Sequence, residues 1–189
     1  MTFWLRIAEH IDNFSEKVGR AVAWLALLMV LAGAFNAIVR FLDRYTGAGL
    51  SSNSFIEAQW YMFSVLFLLG AAYTLKHNEH VRVDVLYGRL PPKARNYINL
   101  VGTLIFLFPF CVFMIWVSLP SVQSSWSIWE QSPDPGGLPR YPIKTLIPIA
   151  FLMVMVQGFS ELIKQIARLR GHLPLEDLSD LAPAPGDVI

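Results

Sequence analysis

Hydrophobic positions along this chain gather into four long blocks, Ala21–Val39, Ala58–Leu75, Asn96–Trp129 and Thr145–Ser160, and none of the four contains Asp, Glu, Lys or Arg. A hydrocarbon core of roughly 30 Å is crossed by about 20 helical residues. The first two blocks fit that length, and the fourth reaches it with Pro142, Ile143, Leu162 and Ile163 at its flanks. The third is long enough to cross and then to project beyond the membrane. The pattern predicts spans over about 22–41, 55–75, 94–119 and 142–166. Ahead of them Phe3, Trp4, Ile7, Ile11, Phe14 and Val18 recur every three or four residues, with Arg6, Glu9, Asp12, Asn13, Glu16 and Lys17 on the other face. That spacing predicts an amphipathic helix over 3–19 lying in the membrane interface before the first span.

Turn and break signals divide the blocks. Pro91-Pro92 suits the first turn of the third helix. Pro109 removes a backbone donor and crowds the residue four earlier, so it predicts a kink and is read as the one mid-span break. Gly33 with Ala37, and Gly70-Ala71-Ala72, are small-residue patches suited to close helix approach. Asp43 to Ser54 reads as a Gly/Ser-rich loop, and Ser132-Pro133-Asp134-Pro135-Gly136-Gly137-Leu138-Pro139 as a rigid one. Trp126 and Trp129 suit headgroup level. Residues 1–171 form one four-helix domain in this reading, and the acidic, Pro-containing stretch 172–189 is expected to be a disordered tail.

Charge orients the helices. Lys plus Arg number three before the first block, two, five and two in the successive loops, and three after the last block. One side therefore carries eleven and the other four, which predicts that both termini and the middle loop are cytoplasmic. Ala32-Gly33-Ala34 mimics a cleavage site, but Glu9, Asp12 and Glu16 precede it, so the first block is read as a retained anchor. A chain that is 54% hydrophobic is too apolar for an ordinary soluble fold, and a net charge of +1 without a dense basic tract gives no footing for nucleic acid. The single Cys111 offers neither a disulfide nor a metal cluster.

Chemistry is sparse. Ion and proton pathways use ionisable groups inside the membrane, and the blocks hold only uncharged polar residues: Asn36, Gln59, Thr74, Thr103 and Gln157. Hydrogen bonds between helices are the expected use of these. The histidines are His10, His77, His80 and His172, with His77 and His80 too close together to ligate a haem from two helices. His77 and His80 with Glu79 and Asp84 have metal-like spacing, set against the reading of a solvated polar loop. Glu57 sits where the second span begins, either to meet a partner's cation or as a carboxylate favoured by the helix start. No enzymatic constellation is present. Three function classes stay open: a non-catalytic transporter subunit, a membrane-anchor subunit of a quinone- or haem-associated redox complex, and a self-assembling four-span protein without a larger partner.

The segment from Gly70-Ala71-Ala72-Tyr73-Thr74-Leu75-Lys76-His77 through Asn78-Glu79-His80-Val81-Arg82-Val83-Asp84-Val85-Leu86-Tyr87 resembles the small permease subunit of tripartite ATP-independent periplasmic (TRAP) transporters. The resemblance continues through Arg89-Leu90-Pro91-Pro92-Lys93-Ala94-Arg95, and Glu57-Ala58-Gln59-Trp60 is similar to the start of that family's second helix. The loop from Ser132 to Lys144 resembles one branch, often linked to 2-oxo and hydroxy acids. The resemblance implies a four-span, multi-pass subunit of the bacterial inner membrane, with no cofactor of its own. Its implied partners are a large multi-span permease, a periplasmic substrate-binding protein and membrane lipid, with the assembled transporter drawing on a sodium gradient to import a carboxylate. It further implies partner contact or loop structure for Glu57, Trp60, His80, Arg82 and Asp84, and for Gly136, Gly137, Pro139 and Arg140, with Arg140 the candidate for touching the binding protein.

Overall fold

A computed structural model of the protein describes residues 2–47, 49, 52–78 and 90–174. Every regular element among the described residues is helical: α1 (Thr2–Thr46), α2 (Asn53–Lys76), α3 (Pro92–Gly102), a π-helical turn (Thr103–Leu107), α4 (Phe108–Ser127) and α5 (Tyr141–Leu169). The π turn joins α3 to α4 without interruption, so the elements make four rods, each long and apolar enough to cross a membrane. The second and fourth rods lie close to the stretches 55–75 and 142–166, whereas the first begins twenty residues before 22 and the third runs eight residues past 119. The tail from 175 and the loop 79–89, which carries His80, Arg82 and Asp84, lie outside the described residues.

Antiparallel α1 and α2 form the first hairpin, and α5 packs against α1, α2, α3, the π turn and α4. As the shared partner, α5 also buries the most residues: Ala150, Gln157, Gly158, Ser160, Ile163, Gln165 and Ala167. Small and polar side chains fill this seam while Trp24, Val30, Leu31, Phe106 and Trp116 face outward. That inversion suits a lipid solvent, in which helices gain from close approach and hydrogen bonding rather than from hiding apolar surface. One end of the bundle gathers the start of α1, the finish of α2, the start of α3 and the finish of α5 (the tail end). The opposite, loop end holds the start of α2 and the segment 128–140.

The amphipathic segment expected as a separate helix over 3–19 runs on into the first span as one helix of 45 residues. At a rise of 1.5 Å per residue its length is about 68 Å, more than twice a hydrocarbon core. Gly19 is the one weak residue at the junction, and it is held there: a Cβ on it would lie 2.3 Å from Cδ2 of Tyr73. Only the near edge of the arm's apolar stripe meets the bundle, where the Trp4 ring stands 6.3 Å from the Phe159 ring, and the arm's buried residues are Ala8, Ser15 and Gly19. These positions are rotated by about 80° from the centre of that stripe, at 3.6 residues per turn. Phe3 and Phe14, on the stripe's far edge, consequently stay 67% and 55% exposed.

Pro109 does perturb the third rod, by widening it. The Phe108 N–H bonds back to the Thr103 carbonyl, five residues earlier, in the π turn that precedes the proline. An extra residue in the turn accommodates a ring that would crowd a regular one. Pro109 is not alone, however: Pro120 lies inside α4 and Pro148 inside α5 without ending either helix. Pro91 caps α3, with Pro92 opening it. Gly33 allows the close approach expected of it, since a Cβ there would stand 2.9 Å from Gln59 Oε1. The other patch divides: Ala72 is fully buried, whereas Gly70 has nothing within 4 Å of its Cβ position.

Candidate functional site

Six of the residues singled out in the sequence come together at the loop end, although nearly eighty positions separate the two groups. Ser52 caps α2, its side chain accepting the Ser54 N–H. Glu57 therefore falls one turn into the helix, where its side chain is only 4% exposed. A buried carboxylate requires donors. They come from the loop, through the Ser132 hydroxyl to Oε1 and the Leu138 backbone N–H to Oε2. Gly136 turns the chain at φ +73°, and Gly137 passes so close that a Cβ would lie 2.4 Å from Cβ of Ser132 and 2.8 Å from Oε1 of Glu57. The Pro139 carbonyl accepts the Tyr61 hydroxyl, that of Gly136 accepts Ser54, and that of Pro135 accepts Asn53 Nδ2 at 3.1 Å.

Arg140 completes the cluster. Its guanidinium stacks over the Trp60 ring at 5.7 Å and stands 3.9 Å from Glu57 Oε1, with the side chain 33% exposed. Glu57 is thus satisfied mainly by the loop, and the cation above it keeps an open face. Beside it Lys144 and the Ser125 hydroxyl both reach Glu130, and these bonds, the Lys144 one foremost, hold the Glu130 carboxyl below the usual carboxylate range. Trp126 packs on Tyr141 at 4.6 Å between ring centroids and donates its indole N–H to Thr145 Oγ1 at 2.8 Å. An amphipathic ring with its polar edge satisfied is the type found at headgroup level. Of the nine singled-out residues, Glu57, Trp60, Gly136, Gly137, Pro139 and Arg140 form this unit. His80, Arg82 and Asp84 lie outside the described residues.

Sequence reading missed the loop's own donors. The Ser132 hydroxyl also accepts the Asp134 N–H at 3.2 Å, a serine turn that Ser-Pro-Asp-Pro would have signalled. It missed the tail-end network as well. Asp12 Oδ1 accepts from Gln157 Nε2 at 2.8 Å and from the Ser160 hydroxyl at 2.7 Å, while Lys164 Nζ reaches Oδ2 at 3.1 Å. The Ser15 hydroxyl donates to Gln157 Oε1 at 2.7 Å. Nearby, Glu16 gathers Arg20 Nε at 2.7 Å, Lys76 Nζ at 2.6 Å and His77 Nε2 at 2.8 Å. These bonds fasten the arm of α1 across the finishing turns of α2 and α5. Asp12, Ser15 and Gly19 at helical spacing were the available signal, masked by the stronger apolar stripe beside them.

Gln157 makes the interhelical bonds expected of it and is fully buried. Gln59 and Thr74 instead donate within their own helix, to Phe55 O at 3.2 Å and Gly70 O at 3.1 Å. Among the described residues no group of three or more His, Cys, Asp or Glu could hold a metal ion. The arrangement is one of structural joints: a lidded loop end, a fastened tail end and a seam of small residues between.

Comparison with known proteins agrees with that character. A family model described as "Tripartite ATP-independent periplasmic transporters, DctQ component" matches residues 36–168. An "Isethionate TRAP transporter permease protein DctMQ" from Oleidesulfovibrio alaskensis is 22% identical over 157 residues. The match covers 82% of this chain but 24% of that protein, so the chain spans about a quarter of that relative's length. No solved structure matches the chain. With most of its length matched and all four rods present, the chain belongs to the DctQ component family of the tripartite ATP-independent periplasmic transporters, a transport component and not an enzyme.

Proposed function

We propose that this chain is the small membrane subunit that braces a large multi-span permease, in a transporter importing an organic acid on a sodium gradient after delivery by a periplasmic binding protein. The carrying observation is that its polar residues at helix seams are spent on the chain itself. Gln157, Ser160 and Asp12 bond one another, and Glu57 is closed in by Ser132 and Leu138. Among the described residues Asn36 Oδ1, Gln165 Oε1 and Arg140 Nε are the buried exceptions. A chain that spends most of its buried polar groups on itself is built to hold shape, and the solute path belongs to a partner. The DctMQ relative supports that partner, since three quarters of its length has no counterpart here.

In this reading the eleven-to-four distribution of Lys and Arg puts both termini on the cytoplasmic side of the inner membrane. The loop end then faces the periplasm, and Arg140 offers its open face to the binding protein. His80, Arg82 and Asp84 serve the cytoplasmic loop, folding it or touching the large subunit. The test is affinity capture of the tagged chain from native membranes in mild detergent, with mass spectrometry. Recovery of one many-span permease in about equal amount is expected; recovery of the chain alone, or with a redox enzyme, would overturn the proposal.

A further inference from the structure

Along the outer side of the α1–α2 hairpin, in its tail-end half, runs an open groove of about 530 Å³. Gly19, Val22 and Ala23 line one wall, and Leu66, Phe67, Gly70, Ala71 and Tyr73 the other. Its floor is apolar because Gly70 contributes no side chain: nothing lies within 4 Å of the Cβ position. Its one polar wall residue beside the mouth, Thr74, is turned inward to its own helix, donating to Gly70 O at 3.1 Å. From Thr74 to Leu66 the groove is about 12 Å long at the helical rise. Arg20 stands at the tail-end mouth with 77% of its side chain exposed, held by Nε on Glu16 at 2.7 Å.

We propose that this groove is a phospholipid site, which takes one acyl chain along Gly70 and an anionic headgroup phosphate on Arg20. Two independent features carry it. The groove is apolar along its length and opens outward from the hairpin, and among its lining residues the one cation, Arg20, stands at the end where a headgroup sits. Around that mouth Arg20 and Lys76 both reach a single carboxylate, Glu16, so the local charge favours an anion. An arginine whose stem lies along apolar surface with its head at the interface is placed for a phosphate, which its planar fork can bind through two hydrogen bonds. A seated chain would fill a gap between two helices that otherwise touch at Gly19 and Tyr73. The proposal requires only that the helices span a bilayer, and it stands apart from the transport reading.

Native mass spectrometry of the detergent-purified full chain, titrated with phosphatidylglycerol or phosphatidylcholine of the same acyl chains, tests it. Phosphatidylglycerol is expected to bind about fivefold more tightly, the contribution of one interfacial arginine. Arg20→Gln should remove that preference and, because phosphatidylcholine carries the same phosphate, lower its retention as well, but to a smaller degree. Gly70→Leu should lower retention of both lipids by filling the floor. Ala23→Leu, on the facing wall, is the second filling variant and should do the same if Gly70→Leu fails to elute as a single species. Equal affinity of the unmodified chain for the two lipids would overturn the headgroup assignment. Unchanged lipid retention in the filling variants would overturn the groove. Unchanged retention together with loss of co-purifying permease would show that a partner helix, not a lipid, is seated there.

Discussion

At the scale of single residues, the glycines separate into those that make room for a neighbour and those, Gly70 among them, that leave space. Gly137 lies against Ser132 and Glu57, so Gly137→Ala forces loop backbone and a buried carboxylate apart. It is expected to lower stability by about 1–3 kcal/mol. Gly70→Ala meets no atom and replaces a poor helix former, so it is expected to be neutral or to stabilise by up to about 1 kcal/mol. Thermal unfolding of the two variants in one detergent measures the contrast, and equal shifts would refute it. Glu130 gives a pH dependence. Its carboxyl is held low by Lys144 and Ser125 in the folded chain, so the stabilisation is complete above the ordinary carboxylate range, about pH 4.3, and fades as pH falls through the lower folded value. Melting curves between pH 7 and 3 should show the chain losing its advantage over Glu130→Gln towards the acid end; a constant difference would count against the pairing.

At the scale of elements, the four rods were legible because the bilayer sets both their length and their lack of charge, and no tertiary contact can override that. Helix continuity was not legible. Hydropathy changes near residue 20, where the chain leaves polar surroundings, but a helix stops only where backbone groups lose their partners, and Gly19 does not interrupt them. The response to Pro109 was half legible: its ring announces a perturbation, whereas nothing local announces a π turn rather than a bend, and that turn lies packed on α5, with Leu107 Cδ2 2.5 Å from where a Cβ of Gly158 would stand. At the α1–α2 seam, Gly19→Ala drives a methyl into the Tyr73 ring. The single variant should be destabilised by about 1–3 kcal/mol, and Tyr73→Ala added to it should recover part of that loss, a non-additivity that a double-mutant cycle reads directly. Strict additivity would mean that the close approach is not the cause.

At the scale of the whole molecule, two joints hold rods that gain little from hiding apolar surface in lipid. The loop-end joint was foreshadowed residue by residue, since Glu57, Trp60 and the Gly136–Arg140 stretch were all singled out. Their convergence was not, because nothing in either segment points across some eighty positions. The tail-end joint stayed hidden because Asp12, Glu16 and Lys164 look like ordinary solvated charges outside the spans. Asp12→Ala should release the arm without melting the bundle, since Lys164 keeps Glu161 as a partner. Amide hydrogen exchange over residues 2–19 is expected to quicken while α2 and α4 stay protected; unchanged exchange in the arm would show that the apolar contacts alone suffice.

The tail-end joint also orders events in time. Asp12 and Ser15 are made early, but their partners Gln157, Ser160 and Lys164 lie 142 to 152 residues further on. At synthesis rates of 5–20 residues per second, the arm waits about 7–30 s for its fastening to leave the ribosome. During that interval the carboxylate and hydroxyl have only water and headgroups to bond. The first helix is therefore finished only when the last one has been inserted, and a chain cut short before α5 holds its arm by the α2 contacts of Glu16 and Gly19 while Asp12 and Ser15 stay without their partners.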